Sequence, residues 1–179
     1  TLLTPNQVFA RLKNDERSIT EITRNFLIYL AAIPAVAGFF GLVFVGQGNG
    51  IAQYQRVPLF SGLMWAVVLF VLSIAGIYLI SFLVTQLANQ FNSKPDDTAA
   101  FKLVVYSFVP IFALGAFGLL PSLFGLHILG LYGIYLFYIG CQIMLECPED
   151  KALSFTVVVS LAGILITVLL HRIAASVIY

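Results

Sequence analysis

The chain has 179 residues, of which 60% are hydrophobic and 9% charged, with a net charge of +1 and a mean hydropathy of +1.00. Soluble domains carry about 25% charged residues, so no water-soluble core accounts for this composition. The near-neutral balance also excludes nucleic acid as a partner, because binding phosphates needs a basic field.

A hydrocarbon core about 30 Å thick asks for roughly 20 apolar residues of helix. Five uncharged stretches approach that length: Phe26–Val45, Leu59–Val84, Leu103–Leu120, Phe124–Leu145 and Phe155–Leu170, the last extending toward Ser176. The pattern predicts an all-α polytopic membrane bundle of five transmembrane helices, over about 26–45, 59–84, 103–120, 124–145 and 155–176. Residues 1–25 read as a membrane-surface segment and 26–179 as a single five-helix domain, with no room for a second soluble domain. No cleavable signal peptide is expected, since the segment before Phe26 is mixed in charge and the first apolar run is too long.

Two helix starts precede the first span. Thr4-Pro5-Asn6-Gln7 offers a capping hydroxyl, a proline at the first helical position and a glutamine. Val8, Phe9 and Leu12 then share one face beside Arg11 and Lys13, which predicts a short amphipathic helix on the inner leaflet. Asn14-Asp15 reads as a break. Ser18-Ile19-Thr20-Glu21 is a capping box, from which a helix should run through Arg24 into the lipid.

Pro34 and Pro110 each remove a backbone hydrogen bond within a span and should kink it. Gln47-Gly48-Asn49-Gly50 reads as a turn, and Tyr54 and Trp65 suit the bilayer interface. Asn89–Asp97 is a polar loop whose Pro95-Asp96-Asp97 marks a helix restart. Pro121-Ser122 leaves room only for a tight hairpin between the third and fourth spans. Gly115, Gly118, Gly130, Gly133 and Gly140 permit close helix approach. Cys147-Pro148-Glu149-Asp150-Lys151 closes the last turn. Cys141 and Cys147 have no histidine nearby in sequence and make a poor metal site, so they read as free thiols.

Orientation follows from the basic residues. Arg11, Lys13, Arg17, Arg24, Lys94, Lys102 and Lys151 fall on one side of a five-span arrangement, against only Arg56 and Arg172 on the other. This predicts a cytoplasmic N-terminus and a C-terminus outside. All eight acids join the basic cluster, which reads either as a consequence of short outer turns or as a mixed-charge face for a partner.

Span centres lack Asp, Glu, Lys and Arg, which argues against an ion-coupled carrier, a charged pore or a carboxylate-based intramembrane enzyme. Tyr135, Tyr138 and Gln142 share one face of the fourth span. They read as an interhelical hydrogen-bond seam, or alternatively as contacts for a solute. His127 and His171 lie near outer span ends. They fall short of the three or four ligands of a metal site and read as anchors, a metal or proton role being the sharper alternative. No cofactor, metal site or catalytic set emerges.

Several short runs carry a resemblance. Pro5, Phe9 and Leu12 open the chain, and Ala31-Ala32-Ile33-Pro34 lies in the first span. Tyr106-Ser107-Phe108-Val109-Pro110 starts the third, Tyr135-Leu136-Phe137-Tyr138-Ile139-Gly140 lies in the fourth, and Lys151-Ala152-Leu153-Ser154-Phe155 leads into the fifth. Their order and spacing resemble the Yip (Ypt/Rab-interacting, Yip-one type) family of five-span membrane proteins, in its bacterial branch. The resemblance implies a cytosolic N-terminus, no catalysis and a bacterial inner-membrane location. The Asp-Leu-Tyr-Gly-Pro signature of eukaryotic relatives is replaced by Arg56-Val57-Pro58-Leu59-Phe60-Ser61-Gly62, so Rab binding is not carried over.

The function expected is a non-enzymatic membrane organiser or adaptor. Besides the lipid bilayer, its partner would be a membrane or cytoplasmic protein, or a second copy in a homo-oligomer. The candidate face comprises Arg11, Lys13, Arg17, Lys94, Asp96, Asp97, Glu149, Asp150 and Lys151. The alternative is a small channel or transporter for a neutral or apolar solute.

Overall fold

In lipid, backbone polar groups must be satisfied by the chain itself, which favours helices or a closed barrel. The computed structural model describes residues 4–46, 56–119 and 130–176, and among these the regular structure is entirely helical. Seven longer helices follow in order among the described residues: α1 (Pro5–Lys13), α2 (Ile19–Val45), α3 (Leu59–Phe91), α4 (Asp97–Ser107), α5 (Val109–Leu114), α6 (Tyr132–Met144) and α7 (Glu149–Ala175), with a 3-10 helix, Gly115–Leu119, continuing from α5. Four helical stretches are long and apolar enough to cross a bilayer: α2, α3, Asp97–Phe117 and α7. The stretch expected as the fourth span appears as the 13-residue α6. Its beginning at 124–129 lies outside the described residues, as do the Gln47–Gly50 turn, Tyr54, the Pro121-Ser122 hairpin and His127.

Most helices start where local chemistry asks. The Ser18 hydroxyl accepts the Glu21 amide while Glu21 accepts the Ser18 amide, completing the capping box that opens α2. Asp96 accepts the Ala99 amide at 2.8 Å and opens α4. Pro5 begins α1, although the Thr4 side chain makes no capping bond. Asn92, in the left-handed region, ends the long α3. Within α2, Pro34 sits between two wider π-type turns, Thr23–Leu27 and Gly41–Val45. Pro110 has no N–H to give the Tyr106 carbonyl, and the helix breaks at Phe108 into α4 and α5.

Helix α4 is the axis of the bundle. Every residue from Ala100 to Ser107 is buried, which requires neighbours on all its faces. It packs on α3 and α6, with α1 and the start of α2 closing its sides, while α3 pairs extensively with α7. Tyr106 stacks on Phe26 of α2 at 4.9 Å, and Phe101 meets Tyr78 of α3 at 4.9 Å. The outward faces of α3 and α7 carry exposed Phe60, Val67, Phe82, Leu161, Leu165 and Leu169. Such exposure suits a hydrocarbon solvent.

The amphipathic face of α1 departs from expectation. Phe9 and Leu12 do not lie against the leaflet but are buried in protein, with Phe9 fully enclosed beside α6. Glycine makes that seat. A Cβ at Gly140 would stand 2.9 Å from the Phe9 ring and would also meet Leu103. Deeper in α6, a Cβ at Gly133 would stand 2.6 Å from the Ser107 carbonyl oxygen, a backbone atom that cannot swing away.

Gly133→Ala is therefore expected to destabilise the fold by about 1–3 kcal/mol through overpacking. Gly163→Ala, whose added methyl would find its nearest neighbour at 3.8 Å, should be neutral or slightly stabilising. Thermal denaturation of both variants in mild detergent checks this, and equal midpoints would contradict the close approach.

Candidate interaction face

Lys102 lies on α4, five residues after the helix starts, and is only 4% exposed. An ammonium group buried so deeply needs acceptors. It finds them at the end of α1, donating to the carbonyls of Leu12, at 3.4 Å, and Asp15. The last carbonyls of a helix have no intrahelical partner and carry its negative dipole end, so a cation there is favourable. Lys102 thus fastens α1 to the central helix.

A second set of contacts surrounds this clasp. Lys13 and Lys94 converge on Glu146 at 2.8 and 2.6 Å. The two lysines hold its carboxyl down to about 2 from the ordinary 4.5. Glu146 itself adopts a positive φ of 51°, a conformation uncommon for residues other than glycine. The Lys94 amide donates to the Leu145 carbonyl at 2.8 Å, joining the loop after α3 to the loop after α6. Beside them Asp15 pairs with Arg17, whose guanidinium lowers the Asp15 carboxyl to about 2. Arg17 also donates to the Tyr106 hydroxyl at 3.3 Å. These ion pairs are partly exposed and individually weak. The buried lysine sets the geometry that they decorate.

Together the groups border a cleft of about 320 Å³ lined by Lys13, Asp15, Lys94, Asp96, Lys102 and Glu146 among others. Its charges nearly cancel, so it lacks the excess of one sign that would draw a simple ion. Of the residues singled out in the sequence, Lys13, Lys94 and Asp96 meet around this cleft, and Arg17 is drawn aside to Tyr106. Arg11, Asp97, Glu149 and Asp150 are exposed and Lys151 is half-buried, and none forms an ion pair among the described residues. Glu149 and Asp150 fall in the first turn of α7, where acids favour the helix dipole.

The expected seam is arranged differently. Gln142 donates to the Tyr138 carbonyl of its own helix at 3.3 Å, and Tyr135 is half-exposed. Among the described residues no hydrogen bond runs from this face to a neighbouring helix. A glutamine with its own helix carbonyl one turn away satisfies itself locally, which removes the incentive to reach across. His171 lies near the end of α7, while its suggested companion His127 falls outside the described residues. Cys141 and Cys147 are buried free thiols directed at the carbonyls of Tyr138 and Phe91. Among the described residues no three His, Cys, Asp or Glu side chains gather to hold a metal.

Lys102 closes the Asn89–Lys102 part of the expected cytoplasmic face, and its burial against the end of α1 is what the sequence does not announce. The available signal was a lone lysine following Ala99, Ala100 and Phe101 and preceding Leu103, Val104 and Val105.

The sequence profile of the Yip1 domain matches residues 1–170. The chain belongs to the Yip1-domain family. It is similar to the inner membrane protein YohC of Escherichia coli K12, with 23% identity over 166 residues, covering 90% of this chain and 85% of that protein. YohC of the E. coli O6:H1 strain CFT073 matches with the same identity and coverage. No solved structure matches the chain. Family membership and the apolar helices together make it a membrane protein.

Two predictions follow the geometry of this Yip1-family face. Lys102→Met keeps the bulk of the side chain but loses the bonds to the α1 carbonyls. It should cost about 1.5–3 kcal/mol, the usual weight of hydrogen bonds to a charged group. Faster tryptic cleavage at Arg11, Lys13 and Arg17 should accompany it, and an unchanged cleavage rate would count against the clasp.

The Glu146 carboxyl is depressed in the folded protein, so its contribution is present above its ordinary 4.5 and fades as pH falls toward about 2. An environment-sensitive fluorophore on Asn6→Cys should report loosening of α1 across that window, with Cys141 and Cys147 shielded by burial. Glu146→Gln should remove this carboxylate's share of the response. A signal flat between those pH values would refute it.

Proposed function

We propose that this chain is a non-enzymatic organiser of a bacterial inner membrane, offering the charged end of its helix bundle to a protein partner. The observation that carries this reading is the division of labour among its charges. Lys13, Lys94, Lys102 and Glu146 are consumed in holding α1 and two loops together. That leaves Arg11, Asp97, Glu149 and Asp150 exposed on a fixed platform, without ion partners of their own among the described residues. Prepositioned charges of both signs select partners and set docking register more than they supply raw affinity. The YohC relative is named for the inner membrane, which supports the location.

In this reading the chain crosses five times, with the charged end in the cytoplasm and the C-terminus outside. The basic residues support that sidedness. The connectivity supports it too: the ends of α3 and α6 and the starts of α4 and α7 meet at one end.

Charge reversal at Arg11, Asp97, Glu149 and Asp150 tests the reading. Each of the four lies in a first or last helical turn with the sign that suits the dipole, so reversal forfeits about 0.3–1 kcal/mol apiece. The variant should stay folded with a lowered thermal midpoint, and at temperatures well below that midpoint it should lose the proteins that co-purify with the parent chain from membranes in mild detergent. An unchanged partner set would overturn the proposal. Alkaline phosphatase fused after Tyr179 should be active for a C-terminus outside, and an inactive fusion would reverse the topology.

A further inference from the structure

Gly163 of α7 faces open space, since a Cβ there would find its nearest neighbour at 3.8 Å. It lines a cavity of about 190 Å³ between the α4–α5 junction, α6 and α7, beside the break forced by Pro110. Phe137 and Val159 form its buried wall, while Ile111, Ile164 and Val168 are exposed on the apolar outer surface. The cavity therefore opens sideways, where a bilayer would lie. By helix rise, Val159 stands about 15 Å along α7 from its charged start, and Ile164 and Val168 about 22 and 28 Å. In a hydrocarbon core about 30 Å thick, the wall sits near the middle and the mouth in the half farther from the charged end.

Water does not suit this space. No charged residue lines it, the Thr167 hydroxyl donates to the Gly163 carbonyl at 2.8 Å, and the Ser107 hydroxyl is sealed off. Ser160 by itself falls short of the several polar partners that hold a buried water. Left empty, the lining would lack the dispersion contacts that every void forfeits. Only apolar matter fills it without loss.

We propose that this cavity binds the acyl chain of a bilayer phospholipid, which enters methyl end first from the half farther from the charged end. The mouth opens among side chains that face lipid, so a tail is the apolar body always at hand. A dry cavity of about 150 Å³ is enough to hold benzene, and this one admits several methylenes. A tail gains no hydrophobic driving force by leaving its neighbours, so the fit of the cavity provides the attraction. The bound chain completes packing between α7 and the α4–α5 junction that the protein's own side chains leave unfinished. The site is distinct from the charged face and stands or falls without it.

The test uses the full chain in phosphatidylcholine nanodiscs doped with one of two photoreactive phosphatidylcholines. One carries a diazirine at the methyl end of an acyl chain, and the other carries it beside the carboxyl carbon. The methyl-end probe should label Phe137 and Val159, buried side chains that face the cavity, as well as Leu161 and Leu165 on the outer surface. The carboxyl-end probe should miss Phe137 and Val159. Ser160→Phe, which fills the space, should abolish labelling of those two and leave Leu161 and Leu165 labelled. Val158→Phe places a ring on the exposed face outside the cavity and should change neither. Should Ser160→Phe lower the thermal midpoint, the smaller Ser160→Leu takes its place.

Labelling confined to Leu161 and Leu165 in the parent chain would overturn the proposal. So would labelling of Phe137 and Val159 that survives filling at position 160, or that comes equally from the carboxyl-end probe. A parent chain that pairs in the nanodisc and is separated by Ser160→Phe would assign the space to a second copy, and the lipid site would fall.

Discussion

The ammonium of Lys102 inside the bundle is the constraint on which the charged end depends. A helix buried on every face has no solvent to offer a cation, so another part of the chain must supply acceptors. The carbonyl end of α1 does so. That requirement fixes where α1 lies, and its position in turn presses Phe9 against Gly140 of α6. Both ends of the small helix are thereby committed, one by charge and one by shape. The Lys13–Glu146–Lys94 bridges then follow as neighbours brought within reach. The hierarchy matters energetically: exposed ion pairs do little to order long side chains, whereas a buried charge is costly to leave unmatched.

Much of this architecture was legible in the sequence because lipid is an unforgiving solvent. Excluding charge from about 30 Å of hydrocarbon forces long uncharged runs, and α2, α3, Asp97–Phe117 and α7 stand on four of them. Local signals also read directly. Ser18 and Glu21, Asp96, and the prolines at 34 and 110 act through their own backbone neighbourhood, which sequence contains in full. The helices nonetheless run further into the charged end than apolar length suggested. Polar residues at α2's start and α4's start continue a helix as well as apolar ones do once capped.

Less legible was anything that depends on what lies opposite. The periodicity of Val8, Phe9 and Leu12 says that one face of α1 is apolar, but protein and lipid present the same demand to it. Gly140 was readable as a point of close approach, though not as the seat of Phe9. Gln142 failed as a bridge for a related reason: a long amide finds its own helix before it finds another. Lys102 looked like one more inside-positive charge, since nothing in linear sequence reveals that its helix is enclosed on all sides.

Helix association within lipid cannot draw on the hydrophobic effect, because tails are as apolar as leucine. Close packing must do that work, and glycine is the device that permits it here. Gly133 lets α6 meet the Ser107 carbonyl, and Gly115 admits the Pro34 ring, where a Cβ would stand 2.5 Å from that proline's own. Packing lapses where the helix is interrupted: Pro110 ends the regular α4 ladder and the space beside Ser107 stays open. The run from Tyr106 to Pro110 therefore combines three physical tasks in five residues. Tyr106 receives Arg17 from the charged end, Ser107 brings its carbonyl against Gly133, and Pro110 makes the break beside the cavity.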